Sequence, residues 1–188
     1  ERLNGMAGFF AKVGFKPTRE WKEEIIIFDP TKPVNAAFKP VFPDGTAVDI
    51  PWDKDPREVF ADWLITAKNP WFARQIVNRL WFWLQGRGIV HEADDFRSDN
   101  PPSNPELLDY LAEELVRADY DMKHIFRLIV NSSTYQLSPI PKSDHSQAAA
   151  QFASYTVRRL DAEVIIDALN QITRTTENYS SIIPEPYT

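Results

Sequence analysis

Cysteine is absent from this 188-residue chain, which excludes disulfides, thiolate zinc sites and covalent haem attachment within it. The compartment stays open, because a domain without thiols survives in oxidising and reducing surroundings alike. A basic excess is also lacking: 21 Lys and Arg stand against 27 Asp and Glu, a net charge of −6, and the cations are dispersed. A nucleic-acid binder draws most of its affinity from neutralising phosphates, so nucleic-acid binding is not expected. No apolar run approaches the roughly 20 residues that cross a bilayer, so no membrane span is expected either. Histidine is scarce, three in all, and no two of them stand at the spacing of a helical metal pair, so no metal site is assigned. Internal repeats and low-complexity tracts are missing. No leader peptide heads the chain. It opens inside a helical pattern and stops after Pro184-Glu185-Pro186, and is read as a piece of a longer protein whose leader and location it does not reveal.

What is present is the balance of a folded protein. Hydrophobic residues make up 43% and charged residues 26%, enough for one domain with a sizeable core. Aromatics are plentiful at 13%, with six Trp. Surplus Trp serves either as core anchors or as platforms on which sugars and bases stack.

Punctuation divides the chain into a head, residues 1–55, and a helical body, residues 56–188. In the head, residues 1–13 read as a helix end halted near Gly14. Residues 25–28 are a β-branched run closed by Asp29-Pro30, and 36–38 with 41–42 are its expected partner. Pro43-Asp44-Gly45-Thr46 signals a turn, after which 47–50 is expected as a third short strand. In the body, Asp55-Pro56, Asn69-Pro70 and Asn104-Pro105 each place a capping side chain before a proline that needs no donor. They predict helices over 56–67, 70–85 and 105–117. Further helices are expected over 121–133 and 157–172, with a short one near 146–154. The fold class is therefore mainly α: a bundle of about five or six helices with a small β-hairpin-like element near the N-terminus.

Two helices differ in kind. In 105–117, Leu107, Leu108, Leu111, Ala112 and Leu115 share one arc and the charges take the other, which describes a surface helix packed on one side. In 70–85, Phe72, Ile76, Val77, Leu80, Trp83 and Leu84 make one wide apolar face. The opposite side mixes Arg74, Asn78 and Gln85 with Trp71, Trp81 and Phe82. Central burial explains a helix this apolar. A mixed aromatic and polar binding face, of the kind carbohydrate sites use, is the alternative.

The following stretch gathers the candidate chemistry. Gly86-Arg87-Gly88 offers either backbone N–H groups and a guanidinium fork to an anion, or a helix cap followed by a tight turn. His91, Glu92, Asp94 and Asp95 collect hard ligands within five residues, without the loop of an EF-hand. Asp94 and Asp95 could form an acid–base pair, or pair with Arg79, Arg87 and Arg97 as loop structure. Arg158, Arg159, Asp161, Glu163 and Asp167 read as an Arg–carboxylate network between helices, or as a substrate clamp. The binding candidates are therefore Trp71, Arg74, Asn78, Arg79, Trp81, Arg87, His91, Asp94, Asp95 and Arg97; catalytic residues are not assigned.

An ordered run of motifs carries a family resemblance. It begins with Asn69-Pro70-Trp71-Phe72-Ala73-Arg74, Val77-Asn78-Arg79 and Trp81, followed by Gly86-Arg87-Gly88-Ile89-Val90 and Asp94-Asp95-Phe96-Arg97. It goes on through Asn100-Pro101-Pro102-Ser103-Asn104-Pro105 and Ser132-Ser133-Thr134-Tyr135-Gln136 to Arg158-Arg159-Leu160-Asp161. Over about residues 56–172 the chain resembles the planctomycete-specific C-terminal domain. That is a domain of unknown function found beside planctomycete-type cytochrome c domains in Planctomycetes, Verrucomicrobia and Bacteroidetes. The resemblance supplies no catalytic residues. It implies an exported, periplasmic or cell-envelope protein of several domains, with haem c elsewhere in the full-length protein and none in this piece. It also implies a link to polysaccharide use. Gln85 departs from the pattern, standing where an aromatic residue usually precedes Gly-Arg-Gly.

Two functions follow as expectations. One is a non-catalytic binding or scaffold domain whose partners are the other domains of its chain and polysaccharide. The other is a hydrolase or redox-coupled enzyme domain using Asp94, Asp95 and neighbouring Arg residues.

Overall fold

Helices form here where a side-chain cap meets an apolar stripe. The computed structural model describes residues 2–18, 24–35 and 38–177. α1 (Arg2–Gly8) leads into a hairpin of β1 (Val13–Pro17) and β2 (Glu24–Phe28). Then come α2 (Pro56–Leu64), α3 (Phe72–Gln85), α4 (Pro105–Arg117), α5 (Met122–Val130) and α6 (Ala162–Thr173). The fold is mainly α with a small β element. Among the described residues, no helix is long and apolar enough to cross a membrane.

The caps expected at Asp55 and Asn104 are made. α3 instead starts two residues later than expected, at Phe72, with no side-chain cap at Trp71, and Asn69 closes the turn before it. Asp55 Oδ1 accepts from the Arg57 N–H at 2.9 Å, and Asn104 Oδ1 from the Leu107 N–H at 3.0 Å. Asn69 Oδ1 accepts from the N–H groups of both Trp71 and Phe72, and Asp121 Oδ1 from Lys123 at 2.8 Å. These satisfy donors that a helix start leaves orphaned. α3 ends at Gly86, whose φ of 77° is the left-handed cap glycine adopts without steric cost, and whose N–H donates to the Phe82 carbonyl.

The main core lies where α3 packs against both α4 and α5, which also touch each other. α4 contributes Leu108, Leu111, Ala112 and Leu115, the arc its sequence marks out, and α5 adds Ile125 and Ile129. α3 is central as expected, but its buried face is not the one its wheel suggests. Ala73, Val77, Asn78, Leu80, Trp81 and Gln85 go inside, while Trp83 is half exposed. The reason is the chain that follows: Ile89 and Val90 fold back onto the Asn78 side and Phe152 packs edge-on against Trp81 at 5.1 Å.

A second packing centre is made of rings. Phe9, just after α1, stacks on Phe42 at 4.9 Å and meets Phe60 of α2 at 5.1 Å; Phe42 stacks on Trp63 at 4.9 Å. Trp63 in turn leans on Trp71 with ring centroids 6.0 Å apart, which links this centre to the start of α3.

Four expectations change. The partner of the 25–28 run is β1, not 36–42: the pairing is antiparallel with Phe15 opposite Ile26, whereas Pro40 within 36–42 has no N–H to give a ladder. Ala36 and Ala37 lie outside the described residues. The third strand shrinks to one bridge, Val41 to Ala47, across the turn that closes with the Gly45 N–H on the Phe42 carbonyl. The stretch near 146–154 is a series of turns; a helix that short has too few bonds to offset its nucleation, and Phe152 adopts φ 53°. Finally, α6 buries no residue, and the Arg–carboxylate network is not made. Arg158 instead donates to the Trp83 and Leu84 carbonyls at the end of α3, while the charges of α6 stay in solvent, where pairing gains little.

Candidate functional site

The site is built by Asn78, although Asn78 does not face it. Its amide is fully buried: Nδ2 donates to the carbonyls of Val90 and Ala93 at 3.0 and 2.8 Å, and Oδ1 accepts from the Val90 N–H at 2.9 Å. One side chain thus satisfies three backbone groups of the loop after α3 and holds it against the helix. Gly88 is needed at this approach, since a Cβ there would lie 2.2 Å from the Val90 carbonyl oxygen. Further on, the Ser103 N–H and hydroxyl both donate to the Ile89 carbonyl, at 2.8 and 3.1 Å, drawing the entry of α4 onto the same loop. The loop's outer part then runs past the start of α3.

Two adjoining cavities result. One, of about 320 Å³, is lined by Trp71, Arg74, Phe96, Arg97, Asn100 and Asp109, among others. The other, of about 440 Å³, is lined by Ala67, Asn69, Ala73, Arg74, Ala112 and Glu113, among others. Pro70, Arg74 and Asp109 belong to both. Between them stands the ion pair of Arg74 Nη2 with an Asp109 carboxylate oxygen at 2.7 Å, which ties α3 to α4. Its two side chains are 44% and 47% exposed, so both remain within reach of a ligand. Trp71 is 45% exposed, backed on Trp63 and presented to the smaller cavity. Two further cavities, of about 510 and 220 Å³, lie in and beside the head and contain none of the ten binding candidates.

The candidates therefore separate. Trp71, Arg74 and Arg97 come together around the smaller cavity. Asn78 and Trp81 are core residues: Trp81 is 2% exposed and lies edge-on to Phe152. Asp94 pairs with Arg79 and also accepts from the Gln75 amide. Asp95 pairs with Arg97 Nε at 2.7 Å, and His91 Nε2 lies 3.3 Å from a Glu92 oxygen. Neither Asp94 nor Asp95 lines any of these four cavities. Arg87 is half-buried, its Nε enclosed without a hydrogen-bond partner. Among the described residues, no three His, Asp or Glu side chains converge as a metal site.

Sequence reasoning missed Asp109, Phe96 and Asn100. Phe96 and Asn100 stand in the ordered motif run, a usable signal. Asp109 has none, because it sits on the polar arc of α4 like any solvated charge. What the arrangement offers chemically is recognition: an aromatic face, two guanidinium groups, a carboxylate and an amide around a groove of moderate size.

A family model described as PSD1, a protein of unknown function (DUF1553), matches residues 56–184. That span takes in α2 to α6, and with them both cavities. No curated protein matches the chain. No solved structure matches it either.

Proposed function

The chain belongs to the PSD1 family of proteins of unknown function; on that premise we propose that it is a non-catalytic helical binding or scaffold domain of an exported multidomain envelope protein, and that its ligand is polysaccharide. The observation that carries this reading is the half-exposed Trp71 at the wall of the 320 Å³ cavity, with Arg74, Arg97 and Asn100 beside it. An indole face supplies flat apolar area for the C–H side of a sugar ring, and planar guanidinium and amide groups bond hydroxyls at its edge. Asp94 and Asp95 are each paired with an arginine and line neither cavity, which favours recognition over hydrolysis. Any covalently attached haem c of the intact protein is carried by other domains, since this chain has no Cys to attach one. Those domains are its expected protein partners, in the periplasm or cell envelope.

The test is affinity electrophoresis of the chain through gels cast with soluble β-glucan, xylan or pectin. Retardation in at least one gel is expected, and Trp71→Ala should weaken it by about tenfold, the loss of one well-placed aromatic contact. Unretarded migration in every gel would remove polysaccharide as the ligand.

A further inference from the structure

The two cavities share three lining residues, Pro70, Arg74 and Asp109, and the last two are joined in an ion pair. From this we infer that the cavities are consecutive subsites for one linear oligosaccharide, which crosses the Arg74–Asp109 ion pair; the inference rests on the polysaccharide reading above.

Size is the first argument. At about 320 and 440 Å³, each cavity sits near the lower end of the roughly 300–1,000 Å³ typical of a small-ligand site, and they share Pro70, Arg74 and Asp109. A single compact ligand would use one of them and leave the other idle. The shared ion pair is the second argument. Guanidinium has five donors and a carboxylate about four acceptor positions, and their mutual contact at 2.7 Å uses few of these. With each side chain nearly half exposed, hydroxyls from either cavity reach the same pair without breaking it.

The linings are complementary along such a chain. On one side Trp71, Phe96 and Pro102 provide flat apolar surface for a ring to stack on. On the other, Ala67, Ala73 and Ala112 leave room for a ring, and Glu113 at the rim accepts from hydroxyls. A peptide is less suited, because the flanking helices α3 and α4 bond their backbone groups internally and present no ladder for an extended strand.

The experiment is calorimetric titration of the full chain with the β-1,4-linked ladder from glucose to cellohexaose. Affinity is expected to rise at least tenfold from one unit to four. Ala67→Trp, in the exposed turn after α2, and separately Glu113→Tyr, on the outer side of α4, are designed to fill the larger cavity from its rim. Either should abolish that rise, with circular dichroism confirming the fold. Trp71→Ala should weaken every member of the ladder. Binding that does not grow beyond one unit would overturn the two-subsite arrangement while leaving sugar recognition standing. No binding at any length would also overturn the two-subsite arrangement, with the polysaccharide reading then decided by the gels above. Trp71-dependent binding of a proline-rich hexapeptide instead would overturn both.

Discussion

The two packing centres of this protein are held by different means. In the body, aliphatic side chains recur at helical spacing, and Leu108, Leu111 and Leu115 meet Val77, Leu80, Ile125 and Ile129. Between the head and α2, Phe9, Phe42, Phe60 and Trp63 come from three separate segments with no shared period, and they form a stack instead of a stripe. Periodic burial can be read from a short window of sequence, whereas a stack assembled across a loop cannot. The contrast also bears on function, since Trp71 is where the two centres touch and where the candidate groove begins.

The sharpest way to break this comparison is to remove one member of each centre. Phe9→Ala takes out a fully buried ring and should cost about 3–5 kcal/mol, and Leu115→Ala, equally buried, about 2–5 kcal/mol. Because the aromatic centre meets the main core through the Trp63–Trp71 contact, Phe9→Ala is expected to shift the aromatic near-UV signal to lower denaturant than the helical far-UV signal. Leu115→Ala should move both together. Coincident transitions in both variants would show that the two centres melt as one unit.

Asn78→Ala addresses the loop that builds the groove. It strips partners from the Val90 N–H and from the Val90 and Ala93 carbonyls, and should cost about 1–3 kcal/mol. Hydrogen exchange at Val90 should rise strongly while the α4–α5 contact stays protected. Equal loosening everywhere would mean that the loop is not separately anchored.

The smallest effect is expected at the start of α2. The Asp55 carboxyl is held below the ordinary aspartate value, first by its hydrogen bond from the Arg57 side chain and also by the Arg57 N–H, against some desolvation. A depressed folded-state value means that this stabilisation is complete above the unfolded value, about 3.9, and is lost as pH falls through the folded one. Asp55→Asn keeps a cap and removes the charge, so wild type should lead by under about 1 kcal/mol at neutral pH. Denaturation followed between neutral and strongly acidic pH should show that gap closing below pH of about 4. A gap that holds at low pH would assign the effect to the cap alone.

Much of the helical body was legible because its signals are local. Asp55, Asn104 and Asp121 bond N–H groups two or three residues away, so their roles follow from neighbouring letters. The candidate groove was legible in part. Trp71, Arg74 and Arg97 stand in the motif run, but Asp109 is 35 positions beyond its partner Arg74, and nothing on α4 distinguishes it from its solvated neighbours. The head was least legible. The segment at β1 reads as a helix stop, and only the pairing with β2 reveals it as a strand.

Taken alone, the sequence determined where most helices start and stop and which arc of α4 goes inside, because caps, prolines and 3.6-residue spacing act over a few bonds. It also determined that no thiol chemistry is available. The tertiary structure decided which face of α3 is buried, which carboxylate answers Arg74, and that Trp71 stands half in solvent beside a groove. Those outcomes depend on how segments tens of residues apart compete for the same surface, and a linear pattern does not encode that competition.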